Sequence, residues 1–230
     1  MRAALLNNLD HQALRLRPLT RQSAPALPGA LPTVPAEFRL LQAHYPILFQ
    51  AAGDSFQPVA LLGLEQGQNL FLTDTGWDAA HLPWALERQP LLVGREGSQA
   101  VVHIDLDHPL LSEREGEPLF LPHGGQAPLL ERRVAVLQAL HQGLEELPGF
   151  IEALCRLDLL EPLHFDVDQP DGSVRRLSGY HGIHEERLAA LPGAAVAALH
   201  EAGHWLPIAM ALASLGRLRD LVEREARQRG

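Results

Sequence analysis

The sequence predicts an α+β fold, with a strand-rich N-terminal part packed with a helical C-terminal part. Three observations predict it. From Glu37 to about Asp107 the apolar residues come in short runs separated by turn chemistry, as half-buried strands do. After Ala127 the period lengthens, and Leu129, Leu130, Val134, Leu137, Leu140 and Leu144 recur at helical spacing. One further hairpin pattern lies among the helices, and strands do not alternate with helices as βαβ units require.

The elements follow in order. Residues 1–36 hold five prolines and no clear period, and read as an N-terminal arm; 37–230 read as a single domain. "HYPILFQ" (44–50) and "FQPVALLGL" (56–64) are apolar runs joined by "AAGDS", a good hairpin connection. "NLFLTDTGW" (69–77) reads as a strand ending in a turn, because Asp74-Thr75-Gly76 supplies turn chemistry. "LPWALERQ" (82–89) predicts a short helix, "PLLVG" and "QAVVHIDLD" two strands, and "EREGE" (113–117) a solvated loop. The helical pattern from Leu129 continues through "FIEALCRLDLL" (150–160). "LHFDVDQPDGSVRRLSGY" (163–180) is strand, turn at Pro170-Asp171-Gly172, strand. From about His184 the tail is helical, and neither an internal repeat nor a low-complexity linker interrupts the chain.

Composition narrows the function classes. The 230 residues are 46% hydrophobic and 20% charged, as in a soluble protein with a sizeable core. The net charge is −9 and the basic residues are scattered. Without a basic stripe to neutralise phosphates, the sequence argues against nucleic-acid binding and against attraction to an anionic membrane. The single cysteine, Cys155, excludes an internal disulfide and reads as a small core residue on a helix. The N-terminus lacks a signal-peptide pattern, and the longest apolar stretch, "WLPIAMALASL", is eleven residues with a proline inside. The expected location is the cytoplasm, with export by a non-classical route left open.

One short stretch spells a catalytic motif. His200-Glu201-Ala202-Gly203-His204 matches H-E-x-x-H, in which two histidines on one helix face bind zinc and the glutamate works on the metal-bound water. Glu223 or Glu225, 19 and 21 residues beyond His204, could supply a third ligand. Gly203 argues the other way. "GAAVAALHEAG" reads as a helix ending at a left-handed glycine, and Pro207 suits the first turn of a new helix. His204 then lies in the connection, and the i, i+4 geometry is lost. Glu223 has a simpler role in i, i+4 pairing with arginines of the last helix. The match reads as coincidence, with a zinc hydrolase through His200, Glu201, His204 and Glu223 as the alternative.

Other constellations are weaker. His103-Ile104-Asp105 on a strand would share a face, and His164 or His181 could complete an iron site of the 2-oxoglutarate oxygenase kind. Asp54, Asp74 and Asp78 read as turn residues. The chain has neither a phosphate-cradling glycine pattern before a helix nor a G-x-S-x-G elbow. His44, Tyr45, Asn69 and Trp77 join polar tips to aromatic or amide bodies beside apolar strands. Converging in a cleft, they would suit a small polar ligand or a peptide; buried singly, they are ordinary structural residues.

Taken in order, several blocks resemble the bacterial SapC family. "EFRLLQAHYPILF" is similar to its opening block, and "PVALLGLEQGQNLFLTDTGWDAAHLPWALERQPLLVG" to its central one. "GEPLF", "LFLPHGG", "LLEP", "LSGYHGIHEERLAAL" and "AGHWLPIAMALASLGRLRDL" follow in sequence. The resemblance covers roughly residues 37 to 224. The stretch after Trp77 has less aromatic and arginine character than the family block. The resemblance implies a non-catalytic protein without a cofactor, binding a protein partner or small ligand in a pathway associated with the surface layer and export.

Overall fold

The computed structural model describes every residue except 26, 66, 98, 169–172 and 230, so the turn expected at Pro170-Asp171-Gly172 lies outside the described residues. Strands β1 (Ala3–Leu5), β2 (Arg15–Leu16) and β3 (Ala30–Pro32) come first, then a 3-10 turn (Pro35–Glu37) leading into α1 (Phe38–Leu41). The hairpin β4 (Ile47–Ala52) and β5 (Ser55–Leu61) precedes α2 (Trp84–Glu87), then strands β6 (Leu91–Glu96), β7 (Gln99–Asp105), β8 (Leu111–Ser112) and β9 (Glu117–Pro118). The long helix α3 (Pro128–Arg156) is followed by β10 (Leu160–Asp168) and β11 (Val174–Ile183). Helices α4 (Glu185–Ala189), α5 (Gly193–Glu201), α6 (Trp205–Ser214) and α7 (Arg217–Arg229) come last. The fold class is α+β.

The chain divides into two compact units, Met1–Leu27 with Phe71–Gln142, and Pro28–Leu70 with Gly143–Gly230. The boundary falls inside α3. In the first unit, β1-β7-β6 and β8-β2-β9 form two three-stranded sheets. Residues 1–27 therefore supply an edge strand to one sheet and the central strand of the other. Leu16, Leu91, Ile104, Leu110, Leu119 and Leu130 form the core. Arg133 is buried and donates to the carbonyls of Glu87 and Gln89, which α2 leaves without helical partners at its C-terminal end.

The strand expected at 69–77 is instead a folded turn, with a single bridge between Leu72 and Trp77. The Thr73 hydroxyl accepts from the amides of Thr75 (3.2 Å) and Gly76 (3.1 Å) and donates to the Gly76 carbonyl (2.8 Å). Such local side-chain bonds compete with a ladder, and here they win.

In the second unit a five-stranded antiparallel sheet runs β10-β11-β4-β5-β3. The β4–β5 hairpin closes at Ala52↔Ser55, so the expected "AAGDS" connection tightens to a two-residue turn at Gly53-Asp54. The later hairpin joins the earlier one through two residue pairs, Tyr180↔Gln50 and His181↔Phe49. Leu147, Phe150, Ile151 and Leu154 are buried at i, i+3, i+4 and i+7, the stripe by which an amphipathic helix meets a core. Phe150 meets Phe38 edge-on at 6.1 Å. Each such aromatic contributes about 1.5–3 kcal/mol by leaving water.

Two expectations about α3 need correction. Cys155 is exposed: it is helical as expected, but one position past Leu154 it turns off the buried stripe. Leu144 is also exposed, because the stripe passes through Gly143, which packs beside Val34. Further on, the Ser214 hydroxyl accepts from the Ile47 amide (2.8 Å) and donates to the Ala211 carbonyl (2.6 Å), tying α6 to the start of β4. Among the described residues no helix is long and apolar enough to cross a membrane.

Candidate ligand-binding hollow

A single extra residue in β11 lies beside a polar hollow of the second unit. Leu163 pairs with Tyr180 and Phe165 with Leu177, so Ser178 and Gly179 together oppose His164 alone. This is a β-bulge, and Gly179 at φ +86° supplies backbone geometry that a side chain would strain. Bulges bend a strand and end its pairing. Accordingly β11 stops pairing with β4 at Tyr180.

The bulge also changes which side chains share a face. Paired residues point the same way, so Tyr180, Leu177 and Arg175 lie on one face with Leu163, Phe165 and Val167. Strict alternation through residues 175 to 180, with no bulge, would put Tyr180 on the opposite face from the other two. The space beside this face is a hollow of about 470 Å³, lined by Gln50, Leu177, Ser178 and Tyr180 of the sheet and by parts of 28–30 and 63–67.

A buried carboxylate braces the rim. Glu225 of α7 is 4% exposed; it accepts from Gln68 Nε2 (2.7 Å) and from a guanidinium nitrogen of Arg175 (2.6 Å). Arg175 also pairs with Glu65 on the rim. The Gln68 oxygen accepts from the amides of Leu64 (2.7 Å) and Glu65 (3.2 Å), so that one side chain fixes the 64–68 turn to α7. Such fully satisfied networks rigidify the segments they join. Inside the hollow, burial pushes the Tyr180 phenol above its ordinary pKa, partly offset by its hydrogen bond with Gln50. Tyr180 is therefore neutral at physiological pH.

The four sequence-derived binding candidates lie elsewhere. His44 and Tyr45 meet edge-on at 6.0 Å, with Tyr45 fully buried. Asn69 sits in the same unit beside buried Leu70, whose amide donates to the Leu62 carbonyl. Trp77 belongs to the first unit and stacks on Phe71 at 5.8 Å. None of the four lines the hollow. The residues that do, Gln50, Glu65, Ser178 and Tyr180, are unremarkable individually. The one signal was a glycine inside a strand pattern at 179, which marks a bulge.

At the H-E-x-x-H stretch, α5 ends at Glu201 and Gly203 adopts φ +72°. The Gly203 amide donates to the His200 carbonyl (3.0 Å) and the His204 amide to that of Leu199 (2.8 Å), the paired bonds of a Schellman cap. His204 leads into α6, and Pro207 occupies its first turn. His200 faces a hollow of about 340 Å³ beside Trp205, whereas His204 faces another of about 370 Å³ beside Arg156. His204 packs edge-on against Phe150 at 5.4 Å; burial, with a smaller contribution from Arg156, lowers its pKa. Glu223 lies 4.0 Å from Arg227 on the same helix.

His103 packs over Gly94, and Asp105 accepts from the amides of Arg2 (2.9 Å) and Asp107 (3.2 Å). His164 and His181 belong to the other unit, where His181 meets Phe56 at 4.8 Å. Among the described residues no group of three or more His, Cys, Asp and Glu is placed to hold a metal ion.

A protein-family model, SapC, matches residues 6–221. Neither a curated protein nor a solved structure matches the chain.

Proposed function

The chain belongs to the SapC family, and from that premise we propose that it is a cytoplasmic, non-catalytic protein that binds a small polar ligand in a surface-layer or export-associated pathway. One observation carries the reading. The hollow beside the β11 bulge gathers Gln50, Ser178 and Tyr180 into one lining and is braced by the buried Glu225. Preorganised polar groups of this kind give orientation and specificity to a bound ligand. The Tyr180 and Ser178 hydroxyls and the Gln50 amide each donate and accept hydrogen bonds, as recognition of a polar ligand requires.

The test is an amide NMR titration of the full chain with free amino acids, dipeptides and monosaccharides. The expected result is a set of shifts centred on Gln50, Ser178 and Tyr180, abolished in Ser178→Trp, which fills the space. Shifts centred on His200 and His204 instead would overturn the proposal, as would shifts that survive in the filled variant.

A further inference from the structure

We infer that the hollow takes a neutral, hydroxyl-rich ligand of the saccharide class. This rests on the binding reading above and narrows it by three properties of the lining.

The first is charge. The described residues of the lining include one carboxylate, Glu65, and neither arginine nor histidine. The nearby guanidinium, Arg175, is already bonded to Glu65 and Glu225. A phosphate or carboxylate entering here would meet a carboxylate without a dedicated cation, and desolvating an anion on those terms is costly. An ammonium group would find Glu65 already compensated by Arg175.

The second is hydrogen-bonding character. Ser178 and Tyr180 carry hydroxyls that both donate and accept, and the Gln50 amide does the same through separate atoms. Ligand hydroxyls are likewise two-way groups. They can donate to the Gln50 carbonyl oxygen or to Ser178 while accepting from the Gln50 amide or Tyr180, whereas a ligand of acceptors alone would use only the donor half of each group.

The third is the apolar remainder. Pro28, Leu64 and Leu177 line the same space. The lining is thus amphipathic, matching a ring with C–H groups on its face and hydroxyls at its edge. The volume, about 470 Å³, suits a small ligand.

The experiment is isothermal titration calorimetry of the full chain with glucose, N-acetylglucosamine, glucose 6-phosphate and alanylalanine. A neutral sugar is expected to bind, with the phosphorylated sugar about tenfold weaker or more. Tyr180→Phe and Gln50→Ala should each weaken the neutral sugar about fivefold, the worth of one hydrogen bond, while leaving the melting temperature near wild type. Phosphate ester binding as tight as the neutral sugar overturns the inference. Binding of alanylalanine alone, weakened by the same variants, overturns the saccharide class and leaves the binding reading standing. Silence from every probe, with no NMR shifts at these residues, overturns both.

Discussion

The two units bury charge of opposite sign and satisfy it by different means. In the first, Arg133 is 8% exposed and bonds to backbone carbonyls of Glu87 and Gln89, with burial lowering its pKa to about 10. In the second, Glu37 and Glu225 are buried and bond to side chains, Glu37 to the Thr33 hydroxyl (2.7 Å) and Glu225 to Gln68 and Arg175. Carbonyls at a helix end are fixed by the backbone, so Arg133 ties α3 to one place, the end of α2. Side chains reach from distant segments, so Glu225 draws together a turn, a strand and a helix. The second arrangement can shape a hollow because its partners come from several places.

The largest effect that would break this contrast comes from Glu225→Ala. It leaves Arg175 without its buried partner and should cost about 3–5 kcal/mol in urea unfolding, with Glu225→Gln costing less. A loss below about 1 kcal/mol would mean that the carboxylate is not the brace. Next comes Arg133→Met, which keeps an aliphatic stem and strips two carbonyls of their donor. A loss of about 1–3 kcal/mol is expected by the same measurement. A larger loss than for Glu225→Ala would invert the comparison.

The smallest effect is pH dependence. His108 in the first unit and His204 in the second both have pKa values lowered by burial; Asp105 partly opposes this at His108, while Arg133 and Arg88 reinforce it. Both imidazoles are thus disfavoured as cations in the fold, whereas the unfolded chain takes up protons near pH 6.5. Their stability contribution is full above that value and is lost as pH falls toward the lower folded pKa. His108→Gln and His204→Gln should each flatten the decline in unfolding free energy on acidification. A steeper decline in either variant would contradict the burial argument at that site.

Much of the fold was legible because its signals are local. The β4–β5 hairpin, the strands β6 and β7, the period change at α3 and the cap at Gly203 each follow from residues within a few positions of one another. The turn expected at Asp74-Thr75-Gly76 forms, but the strand expected before it does not: Leu70, Phe71 and Leu72 read as a strand, while Thr73 captures the following amides. Cys155 was misplaced because an apolar run does not say which of two adjacent positions faces inward. The hollow was least legible. Its walls come from 28–30, Gln50, 63–65, Gly67, Leu177, Ser178 and Tyr180, and residues 130 positions apart meet there in the Tyr180↔Gln50 pair. Long-range pairing of this kind has no short-range signature, and alternation alone does not reveal a changed register.

The bulge at Ser178-Gly179 bears on how relatives of this chain should be compared. An alignment scores a one-residue gap at this place as minor and counts the flanking Arg, Leu and Tyr as retained. A relative shorter by one residue there would keep the counterparts of Arg175, Leu177 and Tyr180 on one face, because the leucine and tyrosine would then stand two positions apart. What it would lose is the bend, and with it the end of β11–β4 pairing at Tyr180, so chain length at the bulge is expected to report on the shape of the hollow where residue identity does not.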